Sequence, residues 1–427
     1  MRLLHRSRRH HPITNKTLPY GVRVLAWARA VRWIGWGLGE ALIPVFIIIL
    51  SHTFAEAGLF SSSVDIAALI SLPLIGLWAD KVSAKRLILL SLLLYPIVGI
   101  SYFLAGFFGL AIFIVIARVS NGFTWELENV GIETYYRRTI DHKHIASSFG
   151  YIDTWSHVAW ISAALVGIVL VHFMPIHYLL FGIAPFALVA YVIALRAPND
   201  SPKAEGSKKS SFMHSYVKAA TEWRTWNIEL WLLSVLILFS GIVSALMYFF
   251  VPINAYLTGA NLPMVVLITV SGAIPALFGY KLGRIADGRN KYGLITFGLI
   301  CLAVITFGLA VFPQYWFKLL AIFFMGIILE LFYVVQSSLI TTLGPAETYG
   351  ERGSAFESII TLGDLVAPLI LGIGLDLVGF SNVAYVMAVA AIVLSVVYRF
   401  LARGAKRRGR GRRFFLDFLG RFSKARP

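Results

Sequence analysis

Arg118, Gly122, Trp125, Glu126, Asn129 and Glu133 follow one another at mostly three- and four-residue spacing through a stretch that is otherwise largely apolar. On a helix that spacing puts them along one side. A charged side chain inside a bilayer is costly, so such a stripe must face protein or water. It either locks helices together as internal salt bridges or lines a route for a solute or a proton. Further acids interrupt other apolar runs: Glu40, Asp65, Asp153, Glu330, Glu357, Asp364 and Asp376. Carboxylates in such surroundings can take up protons or recognise cations, and an arginine among them can balance an acid. We take Glu40, Asp65, Arg118, Trp125, Glu126, Asn129, Glu330 and Asp364 as candidates for a proton-coupling and substrate cavity. Ser240, Ser244 and Tyr248, at i, i+4 and i+8, add a polar face on another helix. His157 is either a packed hydrogen-bonding residue or a switch. Glu128 falls off the stripe and is expected nearer the cytosolic interface.

Other chemistries lack support. No G-x-x-x-x-G-K-S/T loop points to ATP-driven pumping, and no H-E-x-x-H or nucleophile motif points to an enzyme. His142-Lys143-His144 is a weak metal signal, read as solvated loop residues, so neither a metal nor a cofactor is expected. The lone Cys301 lies in an apolar run and reads as a small buried side chain.

The elements that must carry these residues follow from composition. Hydrophobic residues make up 58% of the 427-residue chain and charged residues 14%, against about 25% charged in a soluble domain. The solvent is therefore a bilayer. A net charge of +17 would suit nucleic acid on a soluble fold, but here long apolar runs separate the basic residues, which excludes that partner. About 20 residues cross the hydrocarbon core, and that ruler predicts an all-α polytopic protein with twelve transmembrane helices. The spans run over about 30–51, 57–79, 86–106, 108–134, 147–171, 177–196, 229–251, 261–282, 292–312, 316–341, 354–378 and 382–401.

Lys and Arg crowd the loops on one face, while "SHTFAEAG", "AGFFG", "VHFMPIH", "VPINAYLTGANLP", "VFPQY" and "VGFSN" on the other have none. The basic face is cytosolic by the positive-inside rule, and both termini lie there. The expected organisation is a basic tail (1–25), a six-helix bundle (26–196), a cytosolic linker (197–228), a second six-helix bundle (229–402) and a basic tail (403–427). The last segment reads either as a surface segment on anionic lipid or as a disordered tail. The expected location is the plasma membrane, in contact with lipid, as a monomer.

The halves look like a duplication. Gly76 and Gly283, Asp80 and Asp287, and His157 and Asp364 each stand 207 positions apart, and the same offset maps Ser147, Phe149, Ile152, Thr154 and Gly167 onto Ser354, Phe356, Ile359, Thr361 and Gly374. "GLWADKVSAKR" at 76–86 and "GRIADGRNK" at 283–291 both read G-x-x-x-D followed by basic residues. With Arg118-Val-Ser-Asn-Gly122 as an R-x-x-x-G signature in span 4, the chain resembles the major facilitator superfamily over roughly residues 25–402. It departs from the family pattern at Ser83, Ala84 and Gly288, and span 5 lacks the proline-and-glycine signature of many antiporters.

The resemblance implies two bundles rocking about a central cavity, with the third helix of each triplet peripheral; spans 3, 6, 9 and 12 indeed have no Asp, Glu, Lys or Arg in their interiors. It also implies a cytosolic gating motif: Gly76, Asp80, Lys81, Lys85 and Arg86, repeated as Gly283, Asp287 and Arg289, with Asp80 facing the start of span 11 near Arg352. Taking Trp33 as the edge of span 1, Glu40 lies about 10 Å inside the membrane and Arg118 about 15 Å from the opposite face. Spans 1 and 4 adjoining one cavity would let the two meet. Glu40 is then the expected site of the coupling proton, with Glu126 and Asp65 as the next candidates. The expected function is secondary transport of a small solute by alternating access, coupled to protons. The alternatives are a non-transporting receptor or scaffold on the same fold, or a facilitator of sugars or metabolites without protons. Charges converging on one cavity would favour transport; charges paired off separately would favour the scaffold.

Overall fold

A computed structural model describes residues 19–140, 145–200, 226, 228–287, 289–342 and 349–423. Among them the chain is helical, with no strand. The helices are α1 (Tyr20–Gly37), α2 (Ile43–Leu50), α3 (Phe54–Lys81), α4 (Ala84–Phe108), α5 (Ile112–Thr139), α6 (Ile145–Leu170), α7 (Ile176–Phe181) and α8 (Ile183–Ala194). After the central segment come α9 (Ile228–Ala245), α10 (Val251–Leu257), α11 (Leu262–Ala273), α12 (Gly279–Asp287), α13 (Lys291–Val311), α14 (Tyr315–Thr342) and α15 (Tyr349–Ser423).

Nine stretches of the described residues are long and apolar enough to cross a membrane. The other expected spans fall on α5, whose charges mask it, on the shorter apolar run Leu262–Phe278, and on the second part of Phe356–Phe400. That last run has 45 residues, more than twice the bilayer requirement. Gly379, at φ +78°, divides it in two, a backbone conformation glycine adopts without strain. The first span differs from expectation. Its helix begins at Tyr20, so Trp33 lies about 20 Å along it and is not its edge. The helix then breaks after Gly37 and resumes through a short 3₁₀ turn at Glu40–Leu42.

Local sequence explains the helix starts. Thr53, Ser83, Asn261 and Asn290 each accept a hydrogen bond from a backbone N–H of the first turn of α3, α4, α11 and α13, satisfying donors that have no partner inside the helix. Tertiary packing joins α1 to α6 and α8, and α4 to α5 and α8, while in the second half α15 packs on α9 and α13. The halves meet chiefly where α3 lies along α15 and where α6 meets α11. Large apolar side chains such as Leu93, Ile97, Val189, Phe297 and Val304 are exposed on α4, α8 and α13, the surfaces expected to face lipid.

Residues 197–200 fold back onto the first half. Asp200, only 6% exposed, accepts from the backbone N–H groups of Ala84 (2.8 Å) and Lys85 (3.0 Å) and from Arg138 Nη1 (2.8 Å). Its charge therefore sits on the positively polarised start of α4. Lys85 Nζ in turn donates to the carbonyls of Leu195 and Ala197. Burial alone would raise the Asp200 carboxyl, but the N–H groups of Lys85 and Ala84 and the Arg138 guanidinium outweigh it and hold the carboxyl below its ordinary value. The stabilisation is thus complete above the ordinary carboxylate range and disappears as pH falls through the depressed folded value. Asp200→Asn should cost about 2 kcal/mol near pH 7. Thermal unfolding in detergent should show this gap closing as the pH is lowered.

Candidate functional site

The break in α1 builds the first wall of the site. Gly37 lies against the Trp160 carbonyl with no room for a Cβ, so α1 and α6 approach backbone to backbone. Glu40, just past the break, accepts a hydrogen bond from the Trp160 indole N–H at 2.5 Å. Gly122 of α5 likewise meets the Val64 carbonyl of α3. This contact sets Arg118 beside α3, where its Nη2 donates to the Ser61 carbonyl at 2.8 Å. The opposite wall comes from the second half. A π turn at Leu246–Phe250 interrupts the helix after α9 and carries Tyr248, whose hydroxyl donates to the Gly272 carbonyl at 3.0 Å. Such turns often mark functional positions in helices.

Between the walls lies a cavity of about 370 Å³, lined by Glu40, Asp65 and Arg118 from the first half and by Ser244, Tyr248 and Asp364 from the second. His157 lines it too, stacked on Trp33 with ring centroids 6.1 Å apart. The duplicated positions His157 and Asp364 therefore face the same space. Trp125 and Glu40 border a smaller adjoining void of about 30 Å³. Glu126 is partly buried on α5, within electrostatic reach of Glu357 and Asp65. Asn129 is half-buried on the same helix, and Glu330 packs against Gly279; these three do not line the main cavity. Glu133, at the end of the stripe, pairs with Arg137 at the surface.

Beside the cavity lies a buried charge pair. Glu128, off the polar stripe, is 1% exposed and ion-paired with Arg32 Nε at 2.7 Å. The guanidinium also stands over the rings of Tyr95 (4.8 Å), Trp33 (5.1 Å) and Trp125 (5.7 Å), contacts that stabilise a desolvated cation. Sequence reasoning missed Arg32 because it was placed at the mouth of span 1. The signal was the apolar run from Tyr20, in which Arg23, Arg29 and Arg32 disguise a helix. It also missed Lys318, 1% exposed and donating to Thr258 Oγ1 at 3.1 Å.

On the face of the Lys- and Arg-free loops, the two halves are sealed. Gly58 meets the Pro368 carbonyl and Gly372 the Phe54 carbonyl, each without space for a Cβ. Ser62 Oγ donates to the Leu365 carbonyl at 2.7 Å. The carboxylate oxygens of Asp376 accept from the backbone N–H groups of Phe54 (2.9 Å) and Ala55 (2.8 Å), which caps α3 from the other half. At the opposite end, Gly76 and Lys81 lie in the last turns of α3, Arg86 is exposed on α4, and Gly283 lies in α12 with Arg289 exposed just beyond it. The side chains of Asp80, Asp287 and Arg352, like residues 142–144, lie outside those described.

The sequence matches the family model described as Major Facilitator Superfamily over residues 25–317. No curated protein matches it in sequence. Among solved structures it is similar to the nucleoside transporter NupG, with a TM-score of 0.72 at 16% identity, covering 89% of this chain and 98% of that one. It is also similar to a bacterial homologue of the human lysosomal transporter Spinster in an inward-facing, unoccupied conformation. There the TM-score is 0.70 at 15% identity, covering 90% of this chain and 96% of that one.

Removing one member of the Arg32–Glu128 pair should strand a buried charge. Arg32→Met and Glu128→Gln are each expected to lower stability by about 3 kcal/mol. The double variant Arg32→Met/Glu128→Leu should lose less than either, read by thermal unfolding of the purified protein.

Proposed function

The chain belongs to the Major Facilitator Superfamily, and from that premise we propose that it is a secondary transporter of a small organic solute, working by alternating access and coupled to protons. Its halves, residues 26–196 and 229–402, are the two bodies that rock. The observation that carries this reading is the convergence of Glu40, Asp65 and Arg118 from one half and Asp364 from the other on a single cavity. A scaffold would have no use for such an arrangement, since ionisable groups within a membrane are retained where they pair, conduct or bind.

With the basic face cytosolic, the sealed side is the outer one, and the conformation corresponds to an inward-facing state. The contacts of Asp376, Ser62, Gly58 and Gly372 support this assignment. In our reading the G-x-x-x-D loop supplies the complementary latch: Asp80 meets the start of α15 when the cytosolic side closes. Arg118 is held by the Ser61 carbonyl and Glu40 by the Trp160 indole. No ion pair within 4 Å joins them among the described residues. We assign Glu40 the coupling proton, with the approach of Arg118 during rocking as the event that releases it.

The test is transport in proteoliposomes, using a panel of amines, nucleosides and sugars. Wild type should accumulate at least one solute against its gradient when a pH gradient is imposed. Glu40→Gln should keep exchange of that solute but lose accumulation at least tenfold. Retained gradient-driven accumulation in the variant would remove Glu40 as the proton site.

A further inference from the structure

The cavity's charges do not balance. Glu40, Asp65 and Asp364 face Arg118, with the His157 imidazole and the Tyr248 phenol as the other titratable groups on the lining. Arg118 already donates to Ser61, and Glu40 already accepts from Trp160. Asp65 and Asp364 take no part in the ion pairs of the described residues, which are Arg29–Asp153, Arg32–Glu128, Glu133–Arg137 and Arg138–Asp200. They come from opposite halves, close to the Ser62–Leu365 contact. Asp364 is exposed to the cavity, and a Cβ built on Gly241 would lie 3.5 Å from its Oδ1. Acids so placed within a membrane need a cation or a proton.

The surroundings decide which kind of cation fits. Among the described residues no three His, Cys, Asp or Glu side chains come together as a metal site, so the donor set is wrong for a bare divalent ion. Apart from the hydroxyls of Ser61, Ser244 and Thr269, most of the remaining lining is aromatic or apolar, including Trp33, Trp160, Tyr248 and Phe249. Indole and phenol faces attract an organic ammonium while covering its apolar body. The volume, about 370 Å³, falls at the small end of ordinary ligand pockets, which run from about 300 to 1,000 Å³.

Resting on the transporter reading above, we propose that this cavity binds an organic cation, its ammonium group between Asp65 and Asp364 and its apolar body against Trp33, Trp160 and Tyr248. An anion would be repelled by both aspartates, and a neutral polyol could donate hydrogen bonds to them but would leave their charge unbalanced. Because the two acids belong to different halves, the bound cation also ties the bodies that must rock.

The full-length protein in nanodiscs tests this, with intrinsic tryptophan fluorescence as the binding signal and protein-free nanodiscs as the blank. The probes are benzyltrimethylammonium, its near-isosteric but uncharged analogue benzyldimethylamine N-oxide, and phenylmethanesulfonate. The ammonium should bind at least tenfold more tightly than the N-oxide, and the sulfonate should be weakest. Asp65→Asn and Asp364→Asn should each weaken ammonium binding at least tenfold while leaving the N-oxide unchanged. Equal affinities for the ammonium and the N-oxide, preference for the sulfonate, no ammonium binding, or ammonium binding indifferent to both variants would overturn the proposal. If the variants fail to fold, the three probes on wild type decide it alone. Exchange of radiolabelled benzyltrimethylammonium across proteoliposomes is measured separately. Tight, aspartate-dependent binding without exchange would uphold the cation site and count against transport.

Discussion

The antiparallel contact of α3 with α15 is the constraint on which the rest of the architecture turns. Glycines let the two backbones meet at two points: Gly58 lies on the Pro368 carbonyl and Gly372 on the Phe54 carbonyl. In lipid there is no hydrophobic force to hold helices together, so close backbone approach and directed polar contacts do that work. Asp376 supplies the directed contact, its carboxylate set on the start of α3, where unpaired N–H groups and the helix dipole favour negative charge. With this side shut, the cavity behind it is closed at that end. Asp65 and Asp364, each a few residues along its helix from the seal, then face a common space.

A second consequence concerns how that space keeps its charges. Glu40 and Arg118 are held by neutral partners, an indole and a backbone carbonyl, which orient them without cancelling them. The buried ion pair lies beside the cavity, in Arg32–Glu128 and its aromatic surround. Replacing such a pair by apolar residues is often neutral or stabilising, whereas breaking it is not. It thus ties α1, α4 and α5 together, while the cavity beside it keeps charges free for a ligand or a proton.

How much of this was legible in the sequence varied with the kind of signal. Glu40, Asp65, Arg118 and Asp364 stood out because charge in an apolar run is conspicuous, and all four line the cavity. The all-helical architecture was equally visible, since bilayer thickness sets a length that composition reveals. Arg32 and Asp200 were hidden for the opposite reason. Each lies beside polar residues, one in an arginine-bearing helix start and the other at the edge of a polar linker, where burial leaves no mark in composition. Asp376 was visible as a charge, but its cap on α3 was not, because 322 residues separate it from Phe54 and spacing along the chain says nothing about which helices meet.

In the proposed inward-facing state, the Asp376 cap is the contact that holds the outer face closed. Spin labels at His52 and Leu377 report on the sealed face, and a second pair at Lys81 and Lys281 reports on the basic face. Double electron–electron resonance distances are measured for both pairs, with Asp376 intact and as Asp376→Asn. A short, narrow distribution across the sealed face is expected, shifting to longer distances in the variant while the basic-face distribution shifts to shorter ones. Distances unchanged on both faces, or lengthened on both together, would contradict it.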